Sequence, residues 1–269
     1  MHLDEQDRYR EVAVRAAVAA GQLLRQHFGR PQHVEHKGEI DLVTALDRRA
    51  EALIAEHIRA AFPDHAILAE EGTAGGASPE HRWLVDPLDG TTNYAHGYPV
   101  FAVSVAYERA GRLVVGAVYD PLREELFLGE AGRGATLNGR PLQVSATAEL
   151  SQSLLATGFP YDRALFSASL RRWEALLYRT QALRRGGAAA LDLCYVAAGR
   201  LDGFWERPVQ PWDLAAGTLL VAEAGGQVST LAGGPADVYS GEMVATNGHL
   251  HGALLAALAE NGPPDARSL

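Results

Sequence analysis

Apolar residues recur at helical spacing in two segments near the start of the chain. In the first, residues 9–28, aliphatic and small side chains lie every three or four positions, and Gly29 and Pro31 follow its end. In the second, residues 44–62, the same spacing is closed by Pro63. This period is typical of amphipathic helices, and Gly and Pro commonly end them. The pattern therefore predicts two helices before the first long strand.

A different pattern follows, in which short apolar runs alternate with turn residues. Two brief runs, 66–69 and 83–85, each end in acidic residues. Between residues 100 and 144, the segments VFAVSVAYE, RLVVGAVYD and EELFLGE have the composition of strands, and LNGRPLQV carries an Asn-Gly hairpin signal. These segments predict an antiparallel meander.

After residue 147, strand-like and helical segments alternate again. We expect strands at 154–157, 204–205, 227–229 and 243–246, and helices at 164–180, 188–199, 212–224 and 249–259. The expected division of the chain is an N-terminal α+β part at 1–147, a C-terminal α/β part at 148–260, and a flexible tail at 261–269.

The composition is that of an ordinary globular protein, with 269 residues, 47% hydrophobic and 21% charged. No apolar run approaches the roughly 18–20 residues of a membrane span, so no membrane association is expected. The net charge of −9, with scattered Lys and Arg, disfavours binding to nucleic acid. A single cysteine and a polar N-terminus lead us to expect a cytoplasmic protein.

Acidic residues stand at the ends of several predicted elements. They are Asp47, the pair Glu70 and Glu71, the pair Asp86 and Asp89, and Asp213. Each alone has an ordinary explanation as a helix cap, a turn residue or a solvated charge. Together they offer the oxygen ligands that Mg²⁺ prefers.

The motif DPLDGTT adds a second kind of chemistry. Gly90 allows close approach of a ligand to the backbone, and a helical turn starting near Thr92 would expose amides to an anion. Carboxylates for a metal beside amides for a phosphate are the parts of metal-assisted phosphate hydrolysis. A glycosidase acting through two carboxylates would leave the other acids and the Gly-Thr turn unexplained.

These residues belong to longer stretches that resemble a known family. The segments WLVDPLDGTTNY and PWDLAAGTLLVAEAGG resemble the two signature motifs of the inositol monophosphatase family. The segments HKGEIDLVTALD, LAEEG and RRGGAAALDLCYVAAGRLDGFWE occur in the order expected for that family. The resemblance covers roughly residues 8–260.

The resemblance implies an α/β (α+β) fold, a layered αβαβα sandwich of the inositol monophosphatase and fructose-1,6-bisphosphatase type. It also implies a homodimeric, lithium-sensitive phosphomonoesterase with two or three Mg²⁺ ions in each active site. The implied metal ligands are Glu70, Asp86, the carbonyl of Leu88, Asp89 and Asp213.

The resemblance assigns further roles around these ligands. Asp47, Thr91 and Glu70 would be the catalytic residues, with Thr91 and Asp47 orienting the attacking water. The amides of Gly90 and Thr91 would hold phosphate oxygens. The residues implied to face the alcohol part of the substrate are Gly187, Ala189 and Glu206.

Three positions depart from the family pattern or leave it open. Tyr94 replaces the commoner Phe, and Ala188 stands where relatives often carry a hydroxyl residue. Lys37 is equally compatible with a site residue and a surface residue.

The expected substrate is a small phosphomonoester, myo-inositol 1-phosphate above others. Fructose-1,6-bisphosphate, histidinol phosphate and the 2′-phosphate of NADP are alternatives, and a regulatory role at the transcription or RNA machinery is an alternative of another class.

Overall fold

The computed structural model describes residues 5–30, 34–36, 42–72, 76, 78–160 and 162–260. Within them the α-helices are α1 (Glu5–His27), α2 (Ala45–Ala61), α3 (Thr91–Ala95), α4 (Phe166–Leu177), α5 (Ala189–Ala197), α6 (Pro211–Glu223) and α7 (His251–Glu260). The strands of the first half are β1 (Val34–His36), β2 (Leu42–Thr44), β3 (Ala66–Ala69), β4 (His81–Asp89), β5 (Ala102–Arg109), β6 (Arg112–Asp120), β7 (Glu125–Glu130), β8 (Gly134–Leu137) and β9 (Arg140–Pro141). The remaining strands are β10 (Leu154–Thr157), β11 (Ala182–Arg184), β12 (Gly203–Glu206), β13 (Gln227–Ser229) and β14 (Met243–Thr246).

Two sheets form the frame of the molecule. The first has seven strands in the order β3-β4-β5-β6-β7-β8-β9, and the second has five in the order β11-β10-β12-β14-β13. In the first sheet only β3 and β4 run parallel. The antiparallel meander predicted between residues 100 and 144 is confirmed as β5 to β9, and β4 adds a further antiparallel strand to it. Asn138 and Gly139 connect β8 to β9, as the hairpin signal predicts.

Three hydrophobic clusters stack the elements into five layers. The helices α1 and α2 pack on one face of the seven-stranded sheet, around Trp83 and Tyr107. The helices α5 and α6 lie between the two sheets, against Phe127 on one side and Phe204 on the other. The helices α4 and α7 cover the outer face of the five-stranded sheet. The expected αβαβα sandwich is therefore confirmed.

Close contact between α6 and the first sheet requires a glycine. A Cβ atom on Gly116 of β6 would lie 2.8 Å from the Cα of Ala216 in α6. Real Cβ atoms do not approach a backbone this closely, so only glycine lets α6 settle at this depth. Because Asp213 lies in the first turn of α6, this contact fixes how far that acid reaches towards the first sheet.

Several elements differ from their predicted bounds. The apolar run 83–85 is the middle of a longer strand, β4, which continues through both acids of DPLDG. The predicted helix 164–180 is shorter, since residues 163–165 form a 3₁₀ turn and the chain leaves the helix after Leu177. Strand β11 was not predicted. None of the helices in the described part of the chain has both the length and the apolarity of a membrane span, and Lys37 lies outside the described residues.

Candidate active site

A cavity of about 380 Å³ opens where β4, α5, α6 and the chain after β10 meet. All but one of the residues assigned to the site by the family resemblance line this cavity: Glu70, Asp86, Leu88, Asp89, Gly90, Thr91, Gly187, Ala189, Glu206 and Asp213. The exception, Asp47, is fully buried and contacts the cavity through Thr91. The structure thus brings together residues that are far apart in the sequence.

The two acids of DPLDG lie in an irregular end of β4. The pairing of β4 with β5 shifts register between Asp86 and Asp89. Within this irregularity Oδ1 of Asp86 accepts a hydrogen bond of 2.9 Å from the amide of Leu88. The sequence predicted that a turn would end the strand at this point. Instead a bulged strand carries both acids, and the bulge re-aims their side chains towards the cavity.

The next residue, Gly90, has a backbone conformation that demands glycine. Its φ is +93°, and a Cβ atom there would lie 2.9 Å from the carbonyl oxygen of Val100. The helix α3 starts directly after it, at Thr91, one residue earlier than predicted. The first amides of a helix have no partner within it, so they are available to other acceptors.

The hydroxyl of Thr91 has two acceptors within reach. Its oxygen lies 3.0 Å from Oδ1 of Asp47 and 3.0 Å from the carbonyl oxygen of Leu88. A hydroxyl carries one proton, so these two oxygens share or exchange it. With the proton turned to either acceptor, the lone pairs of the Thr91 oxygen remain available to a donor.

The helix α6 presents Asp213 in its first turn. The amide of Gln210 donates to Oδ2 of Asp213 over 3.0 Å, which is one half of a capping box. Asp213 is therefore the third residue of the helix and not its N-cap. Pro211 occupies the first helical position, where a proline is well tolerated.

Asp89 joins the cavity to the start of α5. Its two carboxylate oxygens accept hydrogen bonds from the amides of Ala189 and Ala190, at 3.2 Å and 2.8 Å. A carboxylate in this place satisfies two backbone donors and interacts favourably with the helix dipole. Asp89 thus ties β4 to α5, a role that its sequence context did not indicate.

Burial raises the pKa values of three acids of the cavity, and neighbouring charges raise two of them further. Burial raises the pKa of Asp86 well above its ordinary value, and the charges of Glu70, Asp89 and Asp213 raise it further. Burial and the charge of Asp213 raise the pKa of Asp89 in the same way. The pKa of Asp213 is raised to about 6 by burial, against the opposing effect of hydrogen bonds with Gln210 and Asp86. Such a cluster favours protonation or a cation.

The donor set suits a hard cation, although the side chains make other contacts. Within the described ranges no group of three or more Asp, Glu, His or Cys side chains is positioned to hold a metal ion. Asp89 and Asp213 each turn a carboxylate oxygen to a backbone amide. Carboxylate oxygens have further lone pairs. The carboxylates of Glu70, Asp86, Asp89 and Asp213 around one cavity are therefore, by their chemistry, the oxygen donors that a divalent cation takes.

Three further residues in or beside the cavity were not predicted, namely Asn93, Arg185 and Asp192. Asn93 donates from Nδ2 to the carbonyl oxygens of Val100, at 2.8 Å, and Gly186, at 2.9 Å, and so fixes the loop before α5. Arg185 is the one cation among the described residues that line the cavity. Burial raises the pKa of Asp192 to about 8, against the opposing charge of Arg185. Only their position within the matched motifs could have indicated them.

The structure shows the surroundings of the two residues that depart from the family pattern, Tyr94 and Ala188. The hydroxyl of Tyr94 donates to the carbonyl oxygen of Leu24 over 2.8 Å, so the additional polar group has a partner in the core. Ala188 lines the cavity directly before α5 and is 1% exposed. The hydroxyl that relatives often carry there is absent from this wall.

Comparisons with known proteins agree with this geometry. Residues 5–262 match the model of the inositol monophosphatase family. The chain is 50% identical to the inositol-1-monophosphatase of Synechocystis sp. over 93% of this chain and 88% of that protein. It is 46% identical to the Nus factor SuhB of Escherichia coli, over 93% of this chain and 95% of that protein. The solved structure of inositol monophosphatase from Anabaena (Nostoc) sp. PCC 7120 superposes with a TM-score of 0.86 at 45% identity, over 96% of this chain and 98% of that one. The chain therefore belongs to the inositol monophosphatase family.

Proposed function

We propose that the protein is a Mg²⁺-dependent phosphomonoesterase that hydrolyses myo-inositol monophosphate or a related small sugar or cyclitol phosphate. The observation that carries this proposal is one cavity lined both by the Gly90-Thr91 turn and by four carboxylates, those of Glu70, Asp86, Asp89 and Asp213. The Synechocystis relative, named an inositol-1-monophosphatase, supports the choice of substrate.

Two or three Mg²⁺ ions would be held by Glu70, Asp86, the carbonyl of Leu88, Asp89 and Asp213. When bound, the ions polarise the phosphate and make water a stronger nucleophile. The protein supplies the charge that attracts them, since burial and mutual repulsion raise the energy of these acids. A bound cation relieves that repulsion, and this relief increases the affinity of the site for the cation.

Thr91 and Asp47 orient the attacking water. When the Thr91 proton is turned to Asp47, over 3.0 Å, the Thr91 oxygen is left to accept a hydrogen bond from that water. Asp47 is 0% exposed, so its carboxylate is held within the protein behind Thr91. Glu70 acts with this pair as the third catalytic residue. The amides of Gly90 and Thr91 hold the phosphate oxygens at the start of α3.

The part of the cavity wall next to the Gly90-Thr91 turn and α5 receives the alcohol part of the substrate. The backbone at Gly187 and Ala189 and the carboxylate of Glu206 line this wall. Burial raises the pKa of Glu206 well above its ordinary value, and the charges of Asp213 and Asp192 raise it further. The positive charge of Arg185 acts in the opposite direction. Hydroxyl groups of a polyol can hydrogen-bond to such side chains in either protonation state. This wall therefore favours a polyhydroxylated alcohol over an apolar one.

A panel of phosphomonoesters tests the choice of substrate. Phosphate release is measured with Mg²⁺ for myo-inositol 1-phosphate, fructose-1,6-bisphosphate, histidinol phosphate and NADP. We expect the highest kcat/KM for the inositol ester. A higher kcat/KM for any of the other three would replace that substrate while keeping the phosphatase, and no release from any ester would contradict the proposal.

The name of the Escherichia coli relative supports a second candidate function, a regulatory contact with the transcription or RNA machinery. The net charge of −9 gives no support to direct binding of nucleic acid. Capture of RNA polymerase or its factors by an Asp89→Asn variant that has lost turnover would favour this second function. We also propose, from the resemblance, that the protein is a cytoplasmic homodimer, which sedimentation and fractionation would test.

A further inference from the structure

The helix α2 carries a second buried acid one turn after Asp47. Glu51 is 1% exposed, and residues four positions apart lie on the same face of a helix. Glu51 is not one of the residues that the family resemblance assigns to the site. A buried carboxylate is costly unless it has a strong partner, so its contacts are informative.

Glu51 holds the peptide that follows Glu70. The amide of Glu71 donates to Oε2 of Glu51 over 2.6 Å, across twenty residues of sequence. A hydrogen bond from an amide to a carboxylate is among the stronger kinds in proteins. On the other side, the amide of Glu70 donates to the carbonyl oxygen of Val85 over 3.2 Å, which extends the pairing of β3 with β4. The backbone around Glu70 is therefore fixed from both sides.

This fixation matters because the chain leaves the sheet at this point. The strand β3 ends at Ala69, and two residues after Glu70 the backbone of Gly72 adopts a φ of +93°. A long hydrogen bond of 3.4 Å from the amide of Gly72 to the carbonyl oxygen of Ala69 closes the turn, and the much shorter bond to Glu51 orients the peptide between Glu70 and Glu71. The direction of the Glu70 side chain into the cavity depends on that peptide.

We propose that Glu51 is a positioning residue that aims Glu70 at the cation site, an inference that rests on the proposed function. The helix α2 then sets two loops at once. Asp47 holds Thr91 after β4, and Glu51 holds Glu71 after β3. Because one rigid helix carries both acids, the distance between the water-orienting pair and the Glu70 carboxylate is fixed by helix geometry.

Three variants test the proposal. Glu51→Ala removes the acceptor, Glu51→Gln keeps an acceptor oxygen without the charge, and Glu56→Gln changes an exposed glutamate of the same helix as the control. The readouts are the Mg²⁺ concentration for half-maximal phosphate release, kcat at saturating Mg²⁺, KM for substrate, and hydrogen exchange of the Glu71 amide. Titration with Mg²⁺ alone by calorimetry measures cation affinity without turnover.

For Glu51→Ala we expect the half-saturating Mg²⁺ concentration to rise at least about tenfold, the effect of losing one hydrogen bond to a charged group. The Glu71 amide should exchange faster by a similar factor, while kcat at saturating Mg²⁺ and KM stay within about threefold of the parent. Glu51→Gln should restore most of the Mg²⁺ affinity, and Glu56→Gln should match the parent.

Faster exchange at Glu71 with unchanged Mg²⁺ affinity would overturn the proposal, because the contact would then be structural only. If Glu51→Ala does not fold, Glu51→Gln decides: a weaker Mg²⁺ affinity that accompanies faster exchange of the Glu71 amide supports the proposal, and faster exchange with parental Mg²⁺ affinity overturns it. If the parent releases no phosphate with Mg²⁺, the proposed function fails. The calorimetric titration then decides the role of Glu51, and equal Mg²⁺ affinity in parent and Glu51→Ala overturns it.

Discussion

Replacing Thr91 by valine removes one hydroxyl from the candidate site and keeps the shape of the side chain. Thr91 is 8% exposed, and its hydroxyl lies 3.0 Å from both Asp47 and the carbonyl oxygen of Leu88. The substitution therefore removes one hydrogen bond to a carboxylate and the oxygen that would face the attacking water. Thr91→Ser is the matched control, since it retains the hydroxyl.

The two consequences appear in different measurements, one in stability and the other in turnover. Loss of a hydrogen bond to a charged group costs about 1.5–3 kcal/mol of stability. In a chain of this size each 1 kcal/mol lowers the melting temperature by roughly 2–4 °C. Loss of a positioned acid–base contact typically lowers kcat by about 10²–10⁴-fold, or roughly 3–5.5 kcal/mol of barrier. A protein with about 5–15 kcal/mol of stability stays folded after the first loss, so reduced activity would reflect the second.

The assay is phosphate release at 25 °C with saturating Mg²⁺ and substrate, together with thermal unfolding of the same samples. We expect Thr91→Val to fold, to melt a few degrees lower, and to lose at least about 10²-fold in kcat. Thr91→Ser should remain within about tenfold of the parent. Turnover by Thr91→Val within about threefold of the parent would refute the role assigned to the Thr91–Asp47 pair.

Three further predictions concern charge. Asp89→Asn should lower kcat on the order of 10²–10³-fold, and its Mg²⁺-free melting temperature should stay close to that of the parent, since a lost bond to α5 offsets relieved repulsion from Asp213. Near-parental turnover at saturating Mg²⁺ would leave Asp89 only as a cap of α5. Burial, with the charge of His81, lowers the pKa of His65 to about 4, below its ordinary 6.5. The folded state therefore binds fewer protons than the unfolded one, and the stability of the parent relative to His65→Phe should fall as pH drops from about 6.5 to 4. A pH-independent difference in urea unfolding would contradict this. Finally, Li⁺ should inhibit Mg²⁺-dependent phosphate release where equal Na⁺ does not, and equal effects of both ions would count against a small-cation site.

Elements with strong periodicity were predictable from the sequence. The strands 227–229 and 243–246 have their predicted bounds, and the helix predicted at 212–224 is α6, at Pro211–Glu223. The predictions for these segments are confirmed because the local sequence pattern and the burial in the folded protein agree. Strand β11 has only three residues, Ala182–Arg184, and gains its strand form from parallel pairing with β10. No local signal encodes such a pairing.

The candidate site was also predictable only in part. The family motifs identified the residues that line the cavity, because chemistry constrains residue type at each position. Contacts across long separations were not predictable, such as Asp89 with the amides of α5 or Glu51 with Glu71. These bonds depend on how α2, α5 and β4 pack together. The bulge in β4 was missed for a related reason, since Asp, Pro and Gly read locally as a turn.

Metal dependence is the most direct test of the central claim. The protein is stripped with a chelator, and phosphate release from myo-inositol 1-phosphate is measured in excess chelator and again after Mg²⁺ is restored. The carboxylates that line the cavity repel a phosphate unless a cation intervenes, so we predict no release in chelator and full release with Mg²⁺. Undiminished release in excess chelator would contradict the account.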